Sequence, residues 1–317
     1  MVDVKLVVGA SSIEGILQGH KHFNPERYAA FVQTFGEGNF GLVSSPSLER
    51  EISTGKPAKV VTLNQNLELL SVEESGSTCQ LLLASTFENE DSSKITRSDL
   101  ERHMDYFESQ RLLGNIGNIV NSREGTLNED KLTSAQTLVA KGFNVPLTYH
   151  FATTKLALEF LNENKGTSYI LKHRFGSAGQ EVSKIDYKSL LFLPGDIHNY
   201  IVQEELDIVD ERRIIVCGEE VLGARNLIDR TRPWEDKKTS DRKHELIPHI
   251  PSPEEHNDSL RIFGILGAEV GCVDWVSVKN GDLYFLELNG VGTGYGETGA
   301  AYNLNQTVAQ KLKDKFL

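Results

Sequence analysis

Apolar and polar positions change their spacing several times within the first 120 residues. The run Val4–Ala10 is short and apolar and ends in a turn, which predicts a buried strand. Apolar residues recur at helical spacing over Pro25–Phe35, and four further apolar runs follow, separated by glycine, proline, asparagine and serine. A helix is expected over residues 98–113, with Ser98 as its cap. This mixture predicts a first α/β domain over residues 1–120.

The next stretch, residues 121–200, alternates predicted helices and strands. An amphipathic helix is expected over residues 130–141, and Gly142 follows where a helix C-terminus favours glycine. A strand, a helix over residues 154–164 and a second strand come next. The first helix has four apolar positions that we expect on one buried face: Leu132, Ala135, Leu138 and Val139.

Residues 201–317 continue the mixture of predicted strands and helices. Apolar strands occupy the first part of this range, and a charged, proline-bearing segment follows over residues 229–258. A loop of this length in a compact domain is typically either functional or disordered. Helices are expected over residues 259–271 and 305–316.

A hairpin is predicted between the two alternating apolar runs that flank Asn280-Gly281. This dipeptide is typical of a two-residue type I′ turn, in which both central residues have positive φ. Such a turn would place Asp274 directly opposite Glu287, and Asn289 would share the face of Glu287 because side chains alternate along a strand. A bulged three-residue turn is the alternative, and it would shift the register by one residue.

The three polar residues of this hairpin predict a metal site. Like charges directly opposite each other destabilise a sheet, and a divalent cation removes the repulsion. Two carboxylates and an amide carbonyl are hard oxygen donors that suit Mg²⁺, with Mn²⁺ as an alternative. The motif Glu-x-Asn is also common at the ends of strands that bind no metal. The predicted ligands are Asp274, Glu287 and Asn289.

Composition narrows the classes of partner and location. The chain has 317 residues and a formal net charge of −12, and such an acidic surface repels phosphate backbones, which argues against nucleic acid. It has three cysteines without a Cys-x-x-Cys pair, so we expect a reducing compartment and neither a disulfide framework nor a zinc site. No apolar stretch approaches the ~20 residues that cross a membrane. These features favour a cytoplasmic protein without a membrane partner.

The ordered set of motifs resembles the ATP-grasp superfamily. A helix-borne lysine in Asn-Glu-Asp-Lys-Leu is followed by Val-Pro-Leu-Thr, a strand lysine in Ile-Leu-Lys, the glycine loop Gly-Ser-Ala-Gly, the segment Val-Gln-Glu-Glu-Leu, and then Glu-Arg-Arg. Asp274 and Glu-Leu-Asn at 287–289 complete the order. The resemblance covers about residue 121 to the C-terminus. It is strongest to the RimK and glutathione synthetase-like branch, which includes maturases of microviridin-type peptides.

The resemblance implies a nucleotide sandwiched between two α+β lobes, a central one over residues 121–200 and a C-terminal one over residues 201–317, preceded by the N-terminal α/β domain over residues 1–120. Lys131 and Lys172 would hold phosphates from the two lobes, and Glu211 would bind the ribose hydroxyls. Arg213 and Arg225, on strands expected to pair, would bind a γ-phosphate or a carboxylate. Each residue taken alone is also consistent with an ordinary surface position. The other implied nucleotide contacts are the phosphate loop with Gly176, Ser177 and Gly179, and the adenine hinge with Gln203, Glu204 and Leu206.

The resemblance implies an ATP- and Mg²⁺-dependent, ADP-forming ligase. It would join a carboxylate to an amine through an acyl phosphate, and the substrate would be an amino acid, a peptide or a protein tail. A kinase that phosphorylates a small molecule is one alternative. A nucleotide-responsive binding protein without turnover, as in the synapsin-like proteins of this fold, is another. The residues leave open whether the chain forms a homo-oligomer. In the family, Pro-Gly often follows the metal-binding asparagine, whereas here a glycine-rich stretch follows over residues 290–299 and would shape the acceptor side.

Overall fold

In a computed structural model of the chain, the described residues are 4–10, 25–44, 52, 54, 59–66, 68–74, 79–83, 96–113, 115–121, 123–175, 182–185, 190, 196–226, 247–290 and 299–317. They form three β-sheets with helices packed on them, in the mixed α/β class that the sequence predicts. Within these ranges, no helix is both long enough and apolar enough to cross a bilayer.

The first sheet has six strands in the order β4-β3-β2-β1-β5-β6. The inner strands pair in parallel, whereas β3 and β4 are added antiparallel at one edge. Two helices belong to this unit, α1 (Pro25–Phe35) and α2 (Arg97–Leu112). The strands are β1 (Val4–Ala10), β2 (Phe40–Ser44), β3 (Lys59–Leu63), β4 (Leu69–Glu74), β5 (Cys79–Leu83) and β6 (Ile116–Val120).

The predicted cap of α2 is wrong by two residues. Thr96, not Ser98, is the N-cap, and its hydroxyl accepts a hydrogen bond from the backbone N–H of Asp99. The Asp99 carboxylate accepts a hydrogen bond from the Thr96 backbone N–H in return at 3.0 Å. This reciprocal capping box satisfies two backbone donors, so the helix begins at the threonine that can form it.

The second sheet has four antiparallel strands in the order β7-β10-β8-β9. One face carries Tyr169, Leu171 and Val202, which pack with Ala157 of helix α5. Because strand side chains alternate, the intervening residues Lys172 and Gln203 lie on the other face. The elements are α3 (Arg123–Leu127), α4 (Lys131–Ala140), β7 (Thr148–Tyr149), α5 (Thr154–Glu163), β8 (Tyr169–His173), β9 (Val182–Lys184) and β10 (Tyr200–Glu204).

The third sheet has five antiparallel strands in the order β13-β12-β11-β14-β15. One face packs on α4 and α6, with Trp275 and Phe263 in that core, and the other packs on α1 and α7. Burial on both faces explains the apolar run at the end of β11 and the mostly apolar sequence of β14. The elements are β11 (Ile208–Cys217), β12 (Glu220–Asn226), β13 (Ile247–His249), α6 (Pro253–Leu266), β14 (Val270–Val278), β15 (Leu283–Asn289) and α7 (Gly299–Phe316).

Three helices depart from their predicted form, and one of them, α7, begins at Gly299 instead of residue 305. Val139 of α4 is 57% exposed, so only the other three residues of its predicted face are buried. Helix α6 begins at Pro253 and ends at Leu266, several residues before the predicted bounds at both ends. Ser252 caps it in a capping box with Glu255, and proline at the first helical position reinforces this start. The stretch 227–246 of the predicted charged loop lies outside the described residues.

Asn121 joins the end of the first sheet to the start of β14. Its side-chain oxygen accepts hydrogen bonds from the backbone N–H groups of Glu269 and Val270, both at 2.9 Å. Its amide nitrogen donates to the Val270 carbonyl at 2.7 Å. The residue has a φ of +55° and is 1% exposed, a conformation that asparagine adopts more readily than most residues. The N-terminal unit is therefore held directly against the sheet that carries Asp274.

Candidate functional site

Asp274 of β14 and Glu287 of β15 lie directly opposite each other, as predicted, but the turn that sets this register differs from the prediction. The backbone N–H of Gly281 donates to the Val278 carbonyl at 2.8 Å, and that of Val278 donates to the Asp282 carbonyl. Gly281 has a φ of +91°, whereas Asn280 lacks the positive φ that type I′ requires. The loop is therefore the three-residue alternative, with glycine in the left-handed region.

A second irregularity restores the predicted pairing. Between the turn and Trp275 the strands pair one residue out of the predicted register, with Trp275 opposite Phe285. Leu286 is an extra residue in β15, and this β-bulge shifts the register back so that Asp274 faces Glu287. The prediction of neighbouring carboxylates is confirmed, although the two-residue turn from which it was argued is wrong.

Asn289 and Arg213 complete a cluster around these carboxylates. The Asn289 side-chain amide donates to Asp274 Oδ2 at 2.9 Å and to Glu287 Oε1 at 3.0 Å. Arg213, directly opposite Asp274 on β11, donates to it through Nε at 2.7 Å and Nη2 at 2.6 Å. This is a bidentate arrangement, the strongest common geometry of a guanidinium and a carboxylate.

Lys131 reaches the same cluster from another element. It is the first residue of α4, and its Nζ lies 3.4 Å from Glu287 Oε2. Burial raises the pKa of Glu287, but Lys131, the Asn289 hydrogen bond and Lys172 outweigh burial and hold that pKa well below its usual range. Burial raises the pKa of Asp274, and Arg213 opposes the rise while Glu287 adds to it. Asp274 and Glu287 are thus neighbouring carboxylates whose pKa values are shifted in opposite directions.

Lys172 approaches the cluster from the second sheet. It is 7% exposed on β8, and its Nζ donates to Gln203 Oε1 on β10 at 2.7 Å. Burial lowers its pKa to about 8, with Glu287 opposing the fall and Lys131 adding to it. A lysine held this way in an apolar strand is costly unless its charge has a use, and such perturbed groups concentrate at functional sites.

The predicted hinge lies at the junction of the second and third sheets. The Glu204 backbone N–H donates to the Leu147 carbonyl, and the Leu147 N–H donates to the Glu204 carboxylate at 2.8 Å. The Leu206 carbonyl accepts from the N–H of Ile208, where β11 begins. Glu211 of β11 is close enough to influence the pKa values of both Lys172 and Asp274.

The strands of Arg213 and Arg225 pair, as the sequence predicts, and the structure places the two residues directly opposite each other on β11 and β12. The side chain of Arg225 is 5% exposed. Gly176, Ser177 and Gly179 of the predicted phosphate loop lie outside the described residues. So does most of the glycine-rich stretch after Asn289.

Asp130 is a residue of this region that the sequence analysis did not single out. It is fully buried, caps α4 through a bond from the Leu132 N–H, and receives two side-chain bonds from Arg174, through Nε at 2.9 Å and through Nη2. The Lys131 backbone N–H also donates to the Arg174 carbonyl. An aspartate immediately before a helix is a recognisable cap signal. Its partner Arg174 directly follows β8 and is 44 residues away in the chain, so nothing local in the sequence identifies it.

The donor set can be tested against the predicted cation. Within the described ranges, no cluster of three or more His, Cys, Asp or Glu residues suited to a metal is found. The candidate set instead has two carboxylates and one amide, held together by the Asn289 hydrogen bonds. A half-turn of the Asn289 amide replaces its NH₂ by its carbonyl oxygen, since this terminal torsion is broad and two-fold. Three hard oxygens then converge, and this set fits Mg²⁺.

Comparison with known proteins reveals similarity in fold. No protein-family model matches the chain, and no curated protein matches it. The macrocyclase MdnC of Microcystis aeruginosa MRC, bound with precursor peptide MdnA, aligns with a TM-score of 0.58 at 13% identity, covering 96% of this chain and 98% of that chain.

Two further structures align over almost their whole length. The ATP-grasp ligase PsnB, complexed with precursor peptide PsnA2 and AMPPNP, has a TM-score of 0.55 at 15% identity, covering 99% of this chain and 100% of that chain. A RimK domain protein ATP-grasp from Sphaerobacter thermophilus DSM 20745 has a TM-score of 0.59 at 14% identity, covering 99% of each. The chain therefore has the ATP-grasp fold, and the fold prediction is confirmed.

Proposed function

We propose that this chain is an ATP- and Mg²⁺-dependent ligase that joins a carboxylate to an amine and releases ADP and phosphate. The ATP-grasp fold supports the proposal, because solved proteins with this fold and RimK-type or peptide-ligase descriptions align along nearly the whole chain. Fold alone does not define chemistry, and the residues of the site provide the further support.

The single observation that carries the proposal is the convergence of Lys131, Glu287, Asn289, Asp274 and Arg213. These five side chains form an unbroken series of contacts between 2.6 and 3.4 Å, drawn from α4, β11, β14 and β15. Two carboxylates joined by an amide and flanked by two cations suit a triphosphate with its divalent cation, which needs both positive donors and oxygen ligands.

Asp274, Glu287 and Asn289 would hold the Mg²⁺. When bound, the cation would neutralise charge on the phosphate oxygens and orient the terminal phosphate. Lys131 and Lys172 would bind phosphate oxygens from α4 and β8, Glu211 the ribose, and the Glu204–Leu206 backbone the adenine edge. Gly176, Ser177 and Gly179 would cover the phosphates. Arg225 would add a second positive charge beside Arg213.

The reaction would proceed in two transfers. A substrate carboxylate oxygen attacks the γ-phosphorus, and ADP leaves with the electron pair of the broken P–O bond. The amine then attacks the acyl carbon, phosphate leaves, and the nitrogen loses its proton. Arg213 would bind the carboxylate or the transferring phosphoryl group, where a planar fork of N–H donors matches the oxygens. Phosphoryl transfer depends mainly on positioning and charge neutralisation, which these residues can supply.

A peptide is the substrate class that we favour. MdnC and PsnB are described in complex with precursor peptides, and both align over nearly the whole of this chain. Modification of a peptide side chain or terminus would then be the outcome, with an amino acid or a protein tail as the remaining options.

The test is an ADP assay with ATP, Mg²⁺, pooled amino acids and peptides, and hydroxylamine to trap an acyl phosphate. We expect ADP and a hydroxamate, and we expect Glu287→Gln to retain the fold but lose at least about 100-fold in turnover. Glu254→Gln, an exposed change in the first turn of α6, is the matched control and should leave turnover unaltered. ADP without hydroxamate would favour a kinase, and nucleotide binding without turnover would favour a binding protein.

A further inference from the structure

A directed series of hydrogen bonds crosses three strands of the second sheet and ends at Lys172. The Thr148 hydroxyl donates to the Pro146 carbonyl at 2.7 Å. Gln203 Nε2 donates to Thr148 Oγ1 at 2.9 Å, and Lys172 Nζ donates to Gln203 Oε1 at 2.7 Å. Thr148 and Gln203 are directly opposite on β7 and β10, and Lys172 lies one diagonal step away on β8.

The direction of this series is determined by chemistry. A threonine hydroxyl has one proton, and Thr148 gives it to Pro146, so its oxygen accepts the next bond. Gln203 must then present its NH₂ to Thr148, which leaves its carbonyl oxygen facing Lys172. An ammonium group has only donors and needs that oxygen. The hydroxyl on β7 therefore fixes which end of the Gln203 amide meets the lysine on β8.

We propose that Gln203 and Thr148 are positioning residues that orient the Lys172 ammonium toward the nucleotide phosphates. This inference rests on the proposed function, and it assigns Gln203 a role through Lys172 in place of contact with adenine. Gln203 is 2% exposed, and both ends of its side-chain amide are committed to Thr148 and Lys172. Gln203 accepts a hydrogen bond from one of the three N–H groups of the ammonium, which constrains the directions of the other two.

The electrostatic surroundings make this orientation matter. The charged groups that act on Lys172 are Glu287, Lys131, Glu211 and Asp274, and they partly cancel one another. Burial is the largest influence and lowers the pKa of Lys172 to about 8, so part of the population is neutral near physiological pH. A correctly oriented carbonyl dipole favours the ammonium form. Loss of that orientation should lower the fraction of Lys172 in the ammonium form and weaken its binding to a phosphate.

Two substitutions separate this role from a purely structural one. Thr148→Val removes the hydroxyl without changing the shape, so Gln203 is free to turn, and the pKa of Lys172 should fall. Gln203→Glu places a carboxylate beside Nζ, and the pKa of Lys172 should rise. Both should weaken nucleotide binding by about 3- to 10-fold, the first through lost charge and the second because the carboxylate competes with phosphate. Thr148→Ser keeps the hydroxyl and should remain within about twofold of wild type.

The measurements are the dissociation constant for AMPPNP with Mg²⁺ and the pH dependence of Lys172 acetylation by acetic anhydride, followed by mass spectrometry. Thr62→Val is the matched control, because Thr62 is a buried threonine whose hydroxyl lies 2.8 Å from Ser71 Oγ in the first sheet. It should lose stability without changing either measurement.

The outcomes distinguish the two proposals. Opposite shifts in the pKa of Lys172, with weaker AMPPNP binding in both variants, would establish the positioning role. If Lys172→Met weakens AMPPNP binding while Thr148→Val and Gln203→Glu change neither the dissociation constant nor the pKa of Lys172, the positioning role is overturned and the proposed function stands. Wild-type protein that does not bind AMPPNP would overturn the proposed function.

Discussion

Arg213 and Asp274 face each other on adjacent antiparallel strands and are joined by two hydrogen bonds of 2.7 and 2.6 Å. Asp274 is 1% exposed, and burial there is compatible with a charge because the guanidinium matches both of its oxygens. Burial lowers the pKa of Arg213, but Asp274 outweighs this and raises it well above its ordinary value. Arg213 therefore keeps its charge, whereas burial raises the pKa of its partner Asp274 despite the guanidinium.

Arg213→Lys should keep a positive charge but lose the bidentate geometry, since an ammonium is a point donor. We expect turnover of ATP to fall by about 10- to 100-fold, with a smaller change in stability than removal of the charge would cause. Steady-state kinetics checks the first expectation and urea unfolding the second. Arg111→Lys alters an exposed arginine paired with Glu108 and serves as the control. Wild-type turnover in Arg213→Lys would exclude Arg213 from the reaction.

Lys172→Met should weaken ATP binding by about 10- to 100-fold, because a charge-assisted hydrogen bond to phosphate contributes about 1.5–3 kcal/mol. Folding should tolerate the change well, since methionine relieves the cost of a buried ammonium. Lys184→Met is the control: this lysine lies on the neighbouring strand β9, pairs with Glu205 and is exposed. Isothermal calorimetry measures both affinities, and equal values for the two variants would remove Lys172 from the site.

Asp130→Asn should destabilise the protein by about 3 kcal/mol, because it leaves Arg174 without its buried partner. Asp105→Asn breaks an exposed pair with Arg123 and should cost less than about 1 kcal/mol. Urea unfolding at pH 7 provides both values. A cost for Asp130→Asn as small as that of the control would show that the pair with Arg174 does not hold α4 to β8.

The contribution of Asp130 should also depend on pH. Burial raises its pKa, but the hydrogen bonds and charge of Arg174, with Thr133 and Leu132, outweigh this and lower the pKa below 3.8. The folded state therefore binds fewer protons than the unfolded state, so the stabilisation is present above the unfolded pKa and is lost as pH falls through the folded one. The difference between wild type and Asp130→Asn should shrink when unfolding is repeated below pH 4. A difference independent of pH would contradict this assignment.

Gly271→Ala should disturb Asn289 through the backbone. Gly271 has a φ of +152°, and a Cβ there would lie 2.2 Å from the Asn289 carbonyl oxygen on the paired strand. We expect a loss of about 1–3 kcal/mol in stability and weaker Mg²⁺-dependent turnover. Gly264→Ala is the contrasting control, since it lies in α6 with open space at the Cβ position and should stabilise the helix by about 0.5–1 kcal/mol. Thermal unfolding and turnover assays would separate the two.

The pairing of Asp274 with Glu287 was accessible from the sequence because hairpin contacts are local. Alternation and a short loop limit the register to few choices, so even a wrong turn type left the two carboxylates close. The same reasoning applies to the pairing of the strands that carry Arg213 and Arg225, which are joined by a tight turn, although the sequence did not give their register. The starts of α2 and α6 are also encoded locally, because Thr96 and Ser252 each form a capping box with an acidic residue three positions later.

Contacts between distant segments were decided only by the tertiary structure. The approach of Lys131 to Glu287, the burial of Asp130 against Arg174, and the series from Thr148 through Gln203 to Lys172 each join separate elements. The periodicity of the sequence does not reveal them, because they depend on how α4 and the second and third sheets are placed relative to one another. The sequence by itself determined which residues carry charge and which strands pair with their neighbours. The tertiary structure decided which of those charged residues contact one another. Burying a charge is costly, and that cost is offset only where the packing of the elements places a partner beside it.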